Sequence, residues 1–380
     1  MKKLKNLLVT LALCAPLTGT AQDIEINAQN FPDKNFRAYL LEQDYGADGV
    51  ITKAEIEEIT YIYVFGRNIS NLKGIEHFTA LTELDCYSNQ LTSLDVSNNT
   101  ALAELECGWN QLTALDVSSN TALTELECHG NQLTSLDVSN NTALTKLWCG
   151  DNLLTTLDVS NNMALTDLYC SCDQLMTLDV SNNIALTKLT CEGTQLTELD
   201  VSQNTALKEL CCGWNLFTSI DVSNNTALEW LYCDGLHLTS LDVSNNTALT
   251  RLYCHSNQIK GKAMDALINS LPDITEILPK NQSVYDEGAI GLLVVCYDGV
   301  DDDNVCTKQQ VATAKAKGWT PCYVFRGHWE EYEGCDESAG ITLPQLTNGT
   351  LPSYTLDGHK VTTPQKGGIY IVGGKKVIVK

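Results

Sequence analysis

From Leu81 onward, apolar and polar positions along this chain recur every 21 residues. One unit, Leu81 to Ala101, reads L-T-E-L-D-C-Y-S-N-Q-L-T-S-L-D-V-S-N-N-T-A; eight units run to Ala248, and a ninth opens at Leu249 and breaks down after Ile259. Cysteine stands at 86, 107, 128, 149, 170, 191, 212, 233 and 254 without slippage, and the Ser97 and Asn99 positions keep their residue in all eight units. A fixed period of this length marks a solenoid, in which each turn buries its apolar face against its neighbours.

Each unit is doubled within itself. Leu81-x-x-Leu84-x-Cys86-x-x-Asn89 is followed ten residues later by Leu91-x-x-Leu94-x-Val96-x-x-Asn99. Two short extended segments per turn predict a flattened coil with a parallel strand on each side. Leu81, Leu84, Cys86, Leu91, Leu94 and Val96 should point inward, and their neighbours outward by the period of two. The asparagines are expected at the corners, their amides bonding the backbone of the next turn. Nine turns at about 4.8 Å each make a rod roughly 40 Å long.

The L-x-x-L-x-C-x-x-N-x-L unit resembles the leucine-rich repeat, and the 21-residue form with a strand cysteine is similar to the cysteine-ladder internalins. It is also similar to repeat proteins exported by gut and oral Bacteroidetes. The resemblance covers nearly half the chain. It implies an α/β repeat fold, a leucine-rich-repeat solenoid of parallel strands, and a role in surface adhesion or ligand capture.

The flanks divide the rest of the chain. Residues 1–21 read as a signal peptide: Lys2, Lys3 and Lys5, an apolar run from Leu7 to Leu17, then small residues ending at Ala21. Residues 22–80 read as a helical N-terminal cap, with helices expected over 31–43 and 53–60. Between them, Asp44, Asp48, Gly49 and Glu55 take positions one, five, six and twelve of a loop resembling a calcium-binding EF-hand, degenerate because Gly46 fills position three. After the solenoid at 81–259 comes a strand–helix–strand C-terminal cap at 260–335, the helix opened by a Thr307-x-x-Gln310 capping box. Residues 336–353 read as a linker. Residues 354–380 read as a hairpin around Gly373-Gly374 that resembles a C-terminal sorting signal.

Charge and chemistry narrow the function. The net charge of −23 becomes −26 once the three leader lysines are removed, and such a field repels nucleic acid and anionic lipid. Outside the leader no apolar run is long enough to span a bilayer, so a secreted or cell-surface location is expected. Sixteen cysteines in an exported chain suggest disulfides, but ladder neighbours about 4.8 Å apart have parallel Cβ vectors. They read as buried thiols; Cys172 and Cys211 are expected to be exposed, and disulfides are plausible among Cys296, Cys306, Cys322 and Cys335. There is no nucleophile elbow, zinc-protease motif or phosphate loop, and the six histidines are scattered, so neither an enzyme nor a cofactor is expected.

Comparing units separates scaffold from surface. The L-D-V-S-N-N-T-A half barely changes, whereas the outward positions around each cysteine vary widely. They bring Trp109, Trp148, Tyr169, Trp214, Trp230, Tyr232, Tyr253 and His255 onto one face, interleaved with glycines and acids. Exposed aromatics of this kind form platforms for protein side chains or sugar rings; cross-strand stacking that only stabilises the ladder is the competing explanation. The first third of the face reads as acidic and the last third as aromatic, which points a ligand toward turns four to nine. The expected partner is an extracellular protein or glycoprotein, with glycan capture or a purely structural envelope role as alternatives. A second row, Asp95 to Asp242, needs local hydrogen bonds or loosely held cations to offset its repulsion.

Overall fold

The structure, a computed structural model, describes residues 23–277, 291–297, 303–325 and 328–335, together with four short strands between 353 and 378. The leader lies outside the described residues. Contacts divide the chain into two compact units, residues 1–334 and 335–380.

The first unit opens with β1 (Ile24–Glu25), α1 (Lys34–Glu42), β2 (Val50–Ile51) and α2 (Lys53–Glu58). Asp33 caps α1, accepting from the N–H groups of Asn35 and Phe36. In the EF-hand-like loop, Glu55 is taken up by the α2 capping box: its carboxylate accepts from the Thr52 N–H at 2.7 Å and the Thr52 hydroxyl at 2.8 Å. Asp48 accepts from the Val50 N–H within the turn.

One sheet then runs through the unit. It begins with β3 (Tyr61–Tyr63) and continues through the nine strands β4 (Glu83–Asp85), β5 (Glu104–Glu106), β6 (Glu125–Glu127), β7 (Lys146–Trp148), β8 (Asp167–Tyr169), β9 (Lys188–Thr190), β10 (Glu209–Cys211), β11 (Trp230–Tyr232) and β12 (Arg251–Tyr253). After α3 (Lys262–Ser270) come β13 (Leu292–Tyr297), α4 (Lys308–Ala316), β14 (Thr320–Phe325) and β15 (His328–Glu331). Pairing is parallel from β3 to β14, and β15 adds antiparallel at the far edge. The repeat strands pair in register, Leu84 beside Leu105 beside Leu126, so every inward leucine stacks on its counterpart.

The solenoid starts one turn earlier than the repeat. Ile59, Ile62, Val64, Ile69 and Leu72 are buried at positions the later turns fill with leucine and cysteine, and Ile75 and Phe78 at the positions of Val96 and Asn99. Residues 23–58 therefore precede a divergent first turn of the solenoid, and the second helix among them is only six residues long.

The second half of each turn differs from expectation, because it forms no strand. Among the described residues only an isolated Thr156–Thr177 bridge appears there. Asparagine side chains replace the ladder. Asn110 donates to the carbonyls of Cys86 at 3.0 Å and Cys107 at 3.1 Å, and its Oδ1 accepts from the Leu91 N–H at 2.9 Å. A second spine follows: Asn120 donates to the carbonyls of Val96 at 3.0 Å and Asn99 at 2.9 Å. Both reach back to the preceding turn, not forward to the next. The amide N–H groups satisfy these corner carbonyls and release the backbone from strand geometry, although the Oδ1 atoms of the second spine, such as those of Asn120 and Asn141, stay buried without a hydrogen-bond partner.

The ladder cysteines from Cys86 to Cys233 are buried free thiols, and burial pushes Cys107, Cys128 and Cys149 well above the ordinary thiol range. Cys172 is buried, contrary to expectation. Asp173 stands where the first spine needs asparagine, and the Cys172 thiol donates instead to the Cys149 carbonyl at 3.4 Å. Cys211 is partly exposed, and Cys322 and Cys335 are free thiols, which removes a two-disulfide arrangement of the C-terminal cap. The side chain of Cys296 lies outside the described residues.

The aspartate row is held locally. Asp95 accepts from the Ser97 hydroxyl at 2.7 Å and N–H at 3.0 Å, which lowers its pKa, and the pattern repeats at Asp116 with Ser118 and Asp137 with Ser139. In the second unit, four strands, β16 (Ser353–Tyr354), β17 (Lys360–Val361), β18 (Ile369–Val372) and β19 (Lys375–Ile378), form an antiparallel sheet in which β18 pairs with β19; Gly373 and Gly374, expected at the hairpin turn, lie outside the described residues.

Two outcomes are expected. Asn131→Ala removes donations to the Cys107 and Cys128 carbonyls and the acceptor for Leu112. Urea unfolding should show a loss of about 2–4 kcal/mol, because a buried N–H and at least one buried carbonyl lose their partner. Alkylation without denaturant should label few of the ladder thiols, and alkylation after unfolding should label all. A disulfide between Cys128 and Cys149 in the mass spectrum contradicts this packing.

Candidate ligand-binding face

The three-residue strands aim their first and third side chains outward, so positions such as Lys146 and Trp148 lie on the sheet surface while Leu147 is buried. Two residues past every ladder cysteine except Cys170 the backbone turns left-handed: Ser88, Trp109, Gly130, Asp151, Gly193, Trp214, Gly235 and Ser256 all have positive φ. Small or polar residues suit that position. Trp109 at φ 48° and Trp214 at φ 53° do not.

Both rings lie over a glycine of the following turn. A Cβ on Gly130 would come within 3.0 Å of the Trp109 ring, and one on Gly235 within 2.6 Å of the Trp214 ring. Gly150 similarly makes room for Tyr169, whose Cζ would lie 2.4 Å from an added Cβ. The glycines are thus seats for aromatic rings. Trp109 and Trp214 stay 53% and 47% exposed, and among the described residues neither stacks on another aromatic ring.

The other predicted residues are half-buried and engaged with one another. His129 contacts Trp148 at 6.0 Å and Tyr169 at 6.1 Å between ring centroids, with Trp148 and Tyr169 edge-on at 6.4 Å. Trp148 donates to Asp167 at 3.1 Å, and Tyr169 donates to Asp151 at 2.6 Å. Together with Trp109, Lys188 and Thr190 these residues line an open cleft of about 390 Å³. Farther along, Tyr232 stacks on Tyr253 at 4.1 Å, the Arg251 guanidinium lies 4.2 Å from the Trp230 ring, and His255 sits 3.8 Å from the Asp234 carboxylate.

The aromatic surface also extends where the repeat gave no signal. Tyr61, Tyr63 and Phe65 of the divergent first turn are exposed, and Phe65 stacks on Tyr87 at 5.5 Å, which meets His129 at 5.6 Å across Gly108. The first third of the face is therefore not only acidic. His129 and Asp167, which help complete the cleft, were legible as variable outward positions but not as a group, and Asp151 was not singled out.

In-register pairing stacks Glu83, Glu104 and Glu125 in one row and Asp85, Glu106 and Glu127 in another. Burial, then the neighbouring carboxylates, raises the pKa of Glu106. Lys146 ends both rows, 3.6 Å from Glu125 and hydrogen-bonded to Glu127, with its Nζ 4.0 Å from the Trp148 ring. Burial also depresses His255 to about 4 and lowers His129, so both imidazoles are neutral at pH 7. No group of three or more His, Cys, Asp and Glu among the described residues is placed to hold a metal.

Among solved structures, the chain is similar to the functional domain of InlJ from Listeria monocytogenes, which includes a cysteine ladder: 39% identity over 66% of this chain, with a TM-score of 0.62. This chain covers 56% of that structure. An internalin C2 from the same organism is similar at 20% identity and a TM-score of 0.50, over 55% of this chain and 96% of that one, a likeness of fold. No protein-family model matches the sequence, and no curated protein matches it.

Gly150→Ala should lift Tyr169 from its seat and break its bond to Asp151. Near-ultraviolet circular dichroism should change while the far-ultraviolet spectrum holds; identical near-ultraviolet spectra would count against the seating. For His255, NMR titration of the ring should give a midpoint near 4. With the folded pKa below the ordinary value of about 6.5, its contribution to stability is complete above that value and is lost as pH falls toward 4.

Proposed function

We propose that this chain, a leucine-rich-repeat solenoid with a cysteine ladder, is a secreted or cell-surface binding protein without catalytic activity. Its strand face would recognise an extracellular protein or glycoprotein. One observation carries the reading: Trp109 and Trp214 hold bulky side chains in a left-handed backbone, and each residue is about half exposed. Such strain costs on the order of 1–3 kcal/mol per residue, and it persists at sites where a side chain is needed in one place.

Cross-strand stacking accounts for the other aromatics. Trp148, Tyr169, Tyr232 and Tyr253 contact neighbouring rings, and Trp230 carries Arg251. It does not account for the two exposed tryptophans, which have no ring partner among the described residues and would be replaced at lower strain by glycine. A ligand that desolvates them supplies what the fold does not, since buried Trp and Tyr dominate interface energetics. The likeness to a cysteine-ladder internalin domain supports the same assignment.

The test is binding to a panel of immobilised extracellular glycoproteins. For any that bind, Trp109→Ala with Trp214→Ala should cost about 2 kcal/mol, roughly 30-fold in Kd, without lowering Tm. Trp230→Ala with Tyr232→Ala should weaken binding as well, and Ser93→Ala with Ser135→Ala should leave it unchanged. Equal affinity across all variants would move the site off the strand face.

A further inference from the structure

The two exposed tryptophans belong to a duplicated element. Cys107-Gly108-Trp109-Asn110 and Cys212-Gly213-Trp214-Asn215 are identical and lie exactly five 21-residue turns apart. The likeness extends beyond the motif. One turn on, Gly130 and Gly235 seat the two rings; two turns on, Trp148 and Tyr253 stand at the same outward strand position. Because the strands pair in register, both platforms face the same way, about 24 Å apart along the stack at about 4.8 Å per turn.

We propose that these platforms are paired subsites for one extended, neutral carbohydrate chain lying across the strands. The inference rests on the reading of the strand face as a binding surface. Each tryptophan lies flat on backbone, so it offers one π face and no deep slot for a side chain. The negative face of an aromatic ring attracts the weakly positive C–H groups on one side of a pyranose. At the first platform the rim of the open cleft carries Asp151, Asp167, Lys188 and Thr190, donors and acceptors suited to the hydroxyl groups around such a ring. A net charge of −23 disfavours acidic polysaccharides. Cations of the chain itself already cover Trp148 and Trp230, whereas no cation covers Trp109 or Trp214 among the described residues.

Calorimetry with a panel of neutral hexose and N-acetylhexosamine oligomers, shorter and longer than the 24 Å span (about five strand spacings), tests the pairing. Short oligomers should bind weakly at two sites per chain. Oligomers that reach both should bind once and at least about 100-fold more tightly, because the second contact becomes intramolecular. Trp109→Ala and Trp214→Ala should each abolish that gain and leave one weak site. Affinity independent of length, or one variant without effect, overturns the pairing. If no oligomer binds while the same variants weaken a protein partner, the carbohydrate assignment fails and the binding face stands. If neither ligand class responds to the variants, both readings fail.

Discussion

The inter-turn asparagine amide is the interaction on which the structure depends. Strands of only three residues supply few ladder bonds per turn, and the rest of each turn has no strand at all. Asn110, Asn131 and Asn152 each bind one backbone N–H and two carbonyls of neighbouring strand ends, while Asn120 and Asn141 do the same for carbonyls on the other flank. Without them, corner groups would be buried without partners, at a cost of about 1–3 kcal/mol each. Where the first spine lacks asparagine at 173 and 194, other donors stand in: Cys172 reaches the Cys149 carbonyl, and Thr194 bonds Asn215 and the Cys191 carbonyl; Leu236 offers only its backbone N–H, which Asn257 accepts.

A scaffold held by fixed positions leaves the others free. Leucine, cysteine, valine and the two asparagines define the turn, so the outward strand positions and the left-handed residue that follows can vary without threatening the stack. At that last position the chain alternates between residues that suit the backbone and two tryptophans that do not. Glycines appear where a ring from the preceding or following turn must lie against the backbone. Rigidity of the coil then becomes rigidity of the aromatic platforms, which limits the conformational entropy lost when a ligand binds.

Much of this was legible in the sequence. The period gave the solenoid, the inward set and the face, because a two-residue alternation locked to a 21-residue repeat admits one orientation of each side chain. The divergent first turn was not legible: it runs 22 residues from Ile59 to Ala80 and has Val64 in place of cysteine, so it falls out of phase. Its Tyr61, Tyr63 and Phe65 therefore escaped the account of the face. The second strand was expected from internal doubling, but leucine spacing alone cannot distinguish a backbone ladder from an amide spine. Trp109 and Trp214 were visible as outward residues, yet their left-handed backbone and glycine seats depend on contacts between turns that no single unit displays.

The central claim is that ligand contact is confined to the strand face of a coil whose other sides are scaffold. Hydroxyl-radical footprinting of the protein with its tightest-binding glycoprotein tests this within one sample, because exposed methionines report on the connecting half of the turn. Met163 and Met176, 63% and 57% exposed, should oxidise equally with and without ligand, while oxidation of Trp109 and Trp214 falls several-fold. Protection of the methionines with the tryptophans unchanged would contradict the account.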